Sequence, residues 1–564
     1  MKHPRVLAAL VTSCLLACSS SSPDDAVEPL ASSSEALVHT TDLAQTIPDH
    51  LAIMFTMSWF GIPKSGDPLG AGPDGGWGNY RIPGQCSGAG APQSCVSGQR
   101  DIASRYRPLA GIYSSSGRDA ESQNRIRLTL ANARRPCAGD VGARIDAFAI
   151  QLDGTHFSSL HSQSPSQGEE LPLQSLKHFL GEADAAGLAN VVVPADDTTW
   201  YFNNGHWLGL DCKANRAQCV QYLQQDVVDM VTLSVRSPAA YKINGKPVVY
   251  FYVAGQLSPQ EWAQIFASVR NTSIDGAKRD FYALASHQGG HGSPYFAAFD
   301  GISPWIDLAA WDATNGRTVR AHGAAYAAST HAELYANVPA GHVVLGGIAP
   351  GFDDFTNGWS QCSSRQLPRP GEAHPRDPGV LDGTIDFLKT KHAKGIVLQT
   401  WDDWTEGSFF EPSVSEGTAK LEQLQSRLGD LYGEAAVSPL ALRSLWYGYG
   451  QPRACSAAHA PPNVALCAGT PTLPPASTCA APAVQIPTQN ESVGPAIDLR
   501  VTAPSCITAM IAYIDGVQAG PTIHATNIDQ WIDVTMGTHR LNINGWDAQG
   551  NVFVSSSTTF TRTY

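Results

Sequence analysis

Charged side chains are scarce in this chain. Asp, Glu, Lys and Arg make up 15% of its 564 residues, and their balance is −13. That balance cannot supply a basic face for a phosphate backbone, which excludes nucleic acid as a partner. Metal-binding spacings are scarce too. None of the 12 cysteines falls into a CxxC pair, so the usual structural zinc site is missing. His287 and His291 stand in SHQGGHGSP, where two glycines disfavour the helix that a zinc-binding HxxxH needs. A hydrogen-bonding role for His287 is the better reading. No GxSxG elbow, Walker loop or HExxH occurs, which leaves serine and zinc hydrolysis unsupported. The letters of GxGxxG do occur at 70–75, but in a Pro/Gly loop with no helix opening behind them. No cofactor is expected.

No apolar run at the N-terminus is long enough to span a bilayer. Lys2 and Arg5 precede an apolar stretch over 6–16, the length of a signal-peptide core. It ends in Leu15-Leu16-Ala17-Cys18, which resembles a bacterial lipobox. The resemblance implies cleavage before Cys18 and lipid on its sulfur, with acyl chains holding the protein to a membrane. A plain secretory signal with an incidental cysteine is the alternative. Ser19 after the cysteine, where Asp often marks inner-membrane retention, favours the outer membrane or cell surface. Cys14 leaves with the signal. Ten cysteines then remain in an exported chain, so disulfides are expected. Cys86/Cys95, Cys212/Cys219 and Cys455/Cys467 can close small loops; Cys137, Cys362, Cys479 and Cys506 stay unassigned.

What the chain does have is glycine, proline and apolar runs: 52 Gly, 38 Pro and 43% hydrophobic residues. That is a loop-rich globular composition, too long for one ordinary core. The signal covers 1–17, and a Ser-rich tether follows over 18–48. Continuous apolar runs predict strands at 51–57, 145–151, 190–193, 247–253, 281–286, 299–303, 342–348 and 396–401. Helical patterns lie at 173–186, 217–235, 259–269, 324–336 and 381–393. Strands without alternation suit a parallel sheet covered on both faces. Eight of them alternating with helices predict a (β/α)8 TIM-type barrel over 49–435. An open doubly wound sheet is the alternative. Residues 436–480 form a Pro/Ala-rich linker, in which 440–449 carry aromatics suited to packing on the barrel. Residues 481–564 alternate polar and apolar, with glycine turns at 515–516, 536–537 and 549–550, which predicts a small all-β sandwich. The stretch AYIDGVQAG…GTHRLNINGWDAQGN resembles bacterial immunoglobulin-like modules. Its role is a spacer, or else carbohydrate or surface binding.

The densest chemistry is TWDDWTEGSFFEP, residues 400–412. It follows the eighth strand, at the end where barrel active sites are built. Asp403 and Glu406 are three apart. A strand would send them to opposite faces, whereas one helical turn puts both on one side, about 5–6 Å apart at Cβ. Two carboxyls in a partly apolar site acquire different pKa values. One then serves as acid for a glycosidic oxygen and the other as base. Trp401 and Trp404 would stack on sugars. The structural reading of the same acids is an N-capping cluster, and Asp402 suits that role.

The segment TWDDWTEGSFFEPS resembles the signature of glycoside hydrolase family 71, the α-1,3-glucanases, and of the related family 99, the endo-α-mannosidases and mannanases. Ile145-Asp-Ala-Phe-Ala-Ile, Gly245-Lys-Pro-Val-Val-Tyr-Phe-Tyr, Phe299-Asp-Gly-Ile-Ser-Pro-Trp and Gly351-Phe-Asp-Asp resemble further family segments in the same order. The resemblance implies Asp403 as base and Glu406 as general acid, acting on a polysaccharide without a cofactor. Asp at 403 follows family 71, and Asp402 replaces the usual Asn. Other strand-end residues would line the cleft: Trp59, Asp153, Asp196, Asp197, Trp200, Tyr252, His287, Trp305, Asp353 and Asp354. A non-catalytic glycan-binding lipoprotein is the reading from another class.

If Cys18 carries the anchor, Cys18→Ser moves the protein from the membrane fraction to the soluble export fraction, or leaves it uncleaved. Fractionation with a lipid-labelling assay tests this. Wild-type protein that is already soluble and unlipidated would end the lipobox reading.

Overall fold

In a computed structural model of the chain, the residues described are 40–58, 60, 106, 108–110, 113–115, 117, 120–134, 142–152, 171–200, 202, 206–207, 210–252, 254–287, 293–306, 324–353, 366–367, 376, 378–413, 416–439, 442–443, 445–446, 479–515, 517–519, 523–547 and 552–563. Met1–Thr40 separates from Thr41–Tyr564, and only the second unit is described below. Cys18, Cys86, Cys95, Cys137, Cys362, Cys455 and Cys467 lie outside the described residues, as do Trp59, Asp153 and Asp354.

Nine parallel segments form one ring of neighbours. In chain order they are β1 (Leu51–Thr56), β2 (Ala147–Leu152), β3 (Val192–Asp196), β4 (Lys246–Phe251), β5 (Tyr282–His287), β6 (Gly301–Pro304), β7 (Val343–Val344), β8 (Gly346–Ile348) and β9 (Gly395–Gln399). Each pairs with its successor except at β7 and β8, which are one residue apart. β7 pairs with β6, while β8 pairs with β9, and β9 returns to β1. The two short segments are thus halves of one stretch that closes the ring, where a single strand over 342–348 was expected. Leu345 bridges them, its N–H donating to the Ile302 carbonyl at 2.9 Å.

The burial explains why the strands read as unbroken apolar runs. Leu51, Ile53 and Phe55 of β1 face an inner core with Ala147, Ala149, Val193, Val248, Tyr250, Leu284 and Val397. Ala52 and Met54 face an outer core with Phe148, Ile150, Val249, Phe251 and Leu398. Both faces of each strand are covered, as in a barrel wrapped by helices. The helices are α1 (Ala120–Leu130), α2 (Leu171–Ala185), α3 (Arg216–Arg236), α4 (Pro259–Asn271), α5 (Ala324–Asn337), α6 (Pro378–Thr390) and α7 (Ala419–Tyr432). Two of them, α1 and α7, are additions to the sequence reading. α4 starts on a capping box: Ser258 Oγ accepts from the Glu261 N–H, and the Glu261 carboxylate accepts from the Ser258 N–H, each satisfying an orphan donor.

The tether ends sooner than expected. Leu43 and Ile47 are buried in the inner core, and the Ala44 N–H donates to the Gly341 carbonyl at 2.8 Å. A short helix, Leu43–Thr46, therefore belongs to the barrel. The start of the expected linker also packs down. Leu442 and Trp446 are buried, and Trp446 Nε1 donates to Asn132 Oδ1 at 3.2 Å.

The C-terminal region forms two sheets. One has three strands, β10 (Ala483–Ile486), β12 (Ala496–Thr502) and β15 (Asn527–Asp533), in the order β10-β12-β15. The other has six: β11 (Glu491–Val493), β13 (Ile507–Ile514), β14 (Val517–Gln518), β16 (Gly537–Asp547), β17 (Val552–Val554) and β18 (Thr558–Arg562). Their apolar faces meet in a separate core containing Leu499, Met510, Leu541 and Phe560. These short strands, separated by turns, agree with the alternation read from 481–564. Cys212 bonds to Cys219, as the spacing predicted, and Cys479 bonds to Cys506.

Gly347 marks a close approach in the ring. A Cβ there would lie 2.2 Å from the Pro304 carbonyl oxygen and 2.8 Å from Gln399 Nε2. Those two atoms already bond to each other at 2.6 Å, so neither can retreat. Gly347→Ala should destabilise the barrel by about 1–3 kcal/mol through overpacking, read as a lower thermal midpoint. An unchanged midpoint would show that the ring is looser here than described.

Candidate active site

The segment after β9 folds back on itself. The Trp401 N–H extends the ladder to the Phe55 carbonyl at 2.6 Å, and the Phe410 and Glu411 N–H groups return to the Thr400 and Trp401 carbonyls at 2.9 and 2.7 Å. Asp403 lies at the bend of this loop. Its N–H donates to Thr400 Oγ1 at 2.8 Å, while its Oδ1 accepts from Thr405 Oγ1 at 2.9 Å and from the Glu406 N–H at 3.0 Å. The carboxylate thus caps the turn that carries Glu406.

The same turn brings the two carboxyl groups together. The hydrogen bond that Asp403 accepts from the Glu406 N–H lowers its proton affinity. Burial outweighs it, however, and pushes Asp403 up to about 6. Asp403 is buried, whereas Glu406 is half-buried.

Asp402, suited from sequence to an N-cap, has a different place. Its Oδ1 accepts from the Met57 N–H at 2.7 Å, at the end of β1, and its Oδ2 pairs with the buried guanidinium of Arg125 on α1. Arg125 also donates to the Tyr113 hydroxyl at 2.8 Å and lies 3.9 Å from the Tyr113 ring centroid. Tyr113 in turn donates to Glu411 at 2.7 Å. Burial holds the phenol well above its ordinary pKa, so it remains a donor. On the other side of the loop, buried Arg376 donates to the carbonyls of Gly407 and Phe409 at 2.6 and 2.7 Å and pairs with Glu416 at 2.9 Å.

Trp401 and Trp404 are not sugar platforms. Both are fully buried. Trp401 packs edge-on against Phe148 at 5.5 Å. Trp404 stacks on Phe409 at 3.9 Å, and its Nε1 donates to Tyr113 and Glu411. Large rings beside buried ions exclude water from the network rather than face a ligand. Asp196 and Asp197 are buried at the end of β3, where Asp196 Oδ1 accepts from the N–H and hydroxyl of Thr198 and Asp197 accepts from Gln151. These bonds give both a structural use. Tyr252, half-buried just past β4, meets Trp305 at 4.5 Å and Phe55 at 5.4 Å, so these rings share the strand-end face. For Trp200, His287 and Asp353 only the backbone is described, at the turn after β3, the end of β5 and a short strand after β8. A cavity of about 330 Å³ lies elsewhere, at the start of β4, lined by Lys242, Lys246, Lys278 and Arg279 among others.

Arg125, Tyr113, Arg376 and Glu411 escaped the sequence reading. Only Glu411 left a signal: an acidic residue directly behind two phenylalanines in the same quoted segment. The arginines come from segments distant in sequence, whose pairing no spacing records.

Fold and site together define a parallel barrel with Asp403 and Glu406 on one turn at its C-terminal strand ends. Among solved structures, the chain is similar to the GH99 endo-α-mannosidase from Bacteroides thetaiotaomicron, with 20% identity, 70% of this chain and 100% of that one covered, and a TM-score of 0.45. It is also similar to a Cellulomonas fimi endo-β-1,4-mannanase double mutant, with 12% identity, 81% and 100% covered and a TM-score of 0.30. The Clostridium thermocellum CbhA fibronectin(III)-like modules match at 14% identity, over 14% of this chain and 95% of that one, with a TM-score of 0.14. No family model matches the chain, and neither does any curated protein. These similarities leave the chemistry to the site itself.

Burial is the largest cause that raises Asp402 and Asp403 to about 6 and Glu411 to about 7. A raised carboxyl binds more protons folded than unfolded. Its stabilising contribution is therefore complete below its unfolded pKa and lost as pH rises through the folded one. For Glu411, between 4.5 and about 7, that loss is roughly 3 kcal/mol. Glu411→Gln cannot ionise, so its stability relative to wild type should rise across that window. Unfolding measured at pH 5 and pH 8 checks this; a difference independent of pH would count against it.

Proposed function

We propose that the chain is a glycoside hydrolase that cuts α-linked polysaccharide internally, with α-1,3-glucan as the first candidate. The observation that carries this reading is that buried Asp403 caps the turn on which half-buried Glu406 stands. Glu406 would donate its proton to the departing glycosidic oxygen, a step worth about 10²–10⁴ in rate. Asp403 would act as base, which requires it ionised. Activity should therefore fall as pH drops below about 6. Tyr252 and Trp305 would contact the sugar. The chain would be exported and anchored through Cys18, with the C-terminal sheets forming an immunoglobulin-like module.

One observation favours a second reading. Inverting enzymes hold their carboxyls about 6.5–9.5 Å apart to fit a water, and ordinary retaining ones about 5–5.5 Å. Asp403 Oδ1 accepts from the Glu406 N–H at 3.0 Å, which keeps the two residues on one tight turn rather than on facing strand ends. That suits a family 99-like route, in which Asp403 draws a proton from the substrate's own 2-hydroxyl and configuration is retained. An endo-α-mannosidase or mannanase is then the alternative.

Glu406→Gln should lose about 10²–10⁴ in rate on natural glycan and less on substrates with good leaving groups, which need little acid help. Asp403→Asn should impair both alike. NMR of the first product formed, across α-glucans and α-mannans, separates inversion from retention and names the sugar. Full activity in either variant would remove these residues from the chemistry, and no release from any glycan by wild type would favour a glycan-binding protein.

A further inference from the structure

The outer face of the three-stranded sheet carries an unusual side chain. Trp531 is 72% exposed, in the middle of β15 and in a region that has its own apolar core. Alternation along the strands fixes what surrounds it. Ile497, Leu499 and Val501 of β12 and Ile528 of β15 face inward. Asp498 and Arg500 of β12, and Asp529, Trp531 and Asp533 of β15, therefore face outward. The register sets Trp531 directly opposite Asp498, and Asp529 opposite Arg500. Arg500 reaches Asp498 Oδ2 at 2.8 Å and Asp529 at 3.8 Å. The other oxygen of Asp498, Oδ1, is buried with no hydrogen-bond partner, and a buried acceptor left unpaired is costly.

We propose that this face binds a neutral polysaccharide chain, with Trp531 as the stacking surface and the exposed Asp529 and Asp533 accepting hydroxyl hydrogen bonds. The chemistry selects among occupants. A protein partner would use a contiguous apolar patch, but here one ring stands among ionised groups. An anionic membrane would need an excess of cations, yet three carboxylates face one guanidinium. A pyranose offers an apolar face of C–H groups to the indole. Its equatorial hydroxyls point sideways, where charge-assisted bonds to carboxylates are strong. Seven residues in each of β12 and β15, at about 3.4 Å per residue, give a platform long enough for several sugar units. The proposal takes only its ligand class from the hydrolase reading.

The test uses the full chain carrying Trp531→Ala or Trp531→Phe. Partition onto insoluble α-1,3-glucan, α-mannan and cellulose is measured beside hydrolysis of soluble oligosaccharide. Trp531→Ala should weaken retention on at least one glycan by about tenfold or more, as truncating a central aromatic anchor does. Trp531→Phe should restore part of it, and hydrolysis of soluble oligosaccharide should be unchanged in both. Equal retention of wild type and Trp531→Ala on every glycan overturns the site, even if the enzyme is active. Retention that depends on Trp531 in a chain that hydrolyses nothing supports the site while the hydrolase reading fails.

Discussion

Asp402 is held at once by the Met57 N–H and the Arg125 guanidinium, and the candidate site depends on that double attachment. It fastens the residues after the last strand of the ring to the end of the first, where the barrel closes. Arg125 and Asp402 are both buried. Desolvating two ions costs several kcal/mol each and is offset only when the remaining lone pairs and protons find partners. Met57 supplies a donor to Asp402, and Tyr113 and Glu411 face one guanidinium nitrogen of Arg125, whose Nε and Nη1 are buried without a hydrogen bond. The pairing is therefore specific: α1 must dock where its arginine meets this loop, since the alternative is an unpaired ion in the core.

Arg376 completes the arrangement from the other side. It grips two carbonyls of the loop, stacks on Phe409 at 3.8 Å and is neutralised by Glu416. Asp403 and Glu406 thus lie between two arginine braces, on a loop whose ends return to the β9 backbone. Loops are usually the mobile part of a fold, but a catalytic pair needs supporting contacts that fix its geometry. The aromatic residues serve this purpose. Trp401, Trp404 and Phe409 shut water out of the ionic network and leave Glu406 half-buried at its edge.

The barrel was legible in the sequence because its signal is local. Unbroken apolar runs such as 145–151 and 396–401 record burial on both faces, and the helices between them record their own periodicity. The turn that joins Asp403 to Glu406 was legible for the same reason, since three residues span one turn. Trp401 and Trp404 were misassigned because an aromatic beside an acid looks the same whether it stacks on a sugar or shields an ion. The difference lies in Tyr113 and Arg125, almost 300 residues away along the chain. Helix α1 was missed because AESQNRIRLTL is mostly polar by composition, although Arg125 within it is buried as an ion.

The electrostatics of the loop set stability against chemistry. Asp402, Asp403 and Glu411 are raised by burial, so the folded state favours them protonated and loses stability as pH rises through about 6–7. Glu416 runs the other way: Arg376 and Lys420 hold it down to about 2, so its contribution is lost only as pH falls from 4.5 towards that value. In acid Asp402 is protonated and the Arg125 brace loses its ion pair, whereas the Arg376 brace keeps its own down to about pH 2. A base at position 403 must be ionised to work, on the side of its pKa where its own burial counts against folding. Function at such a site is a departure from the most stable arrangement. The Arg376 brace, whose partner stays ionised throughout that range, keeps the loop in place when Asp403 gives up its proton.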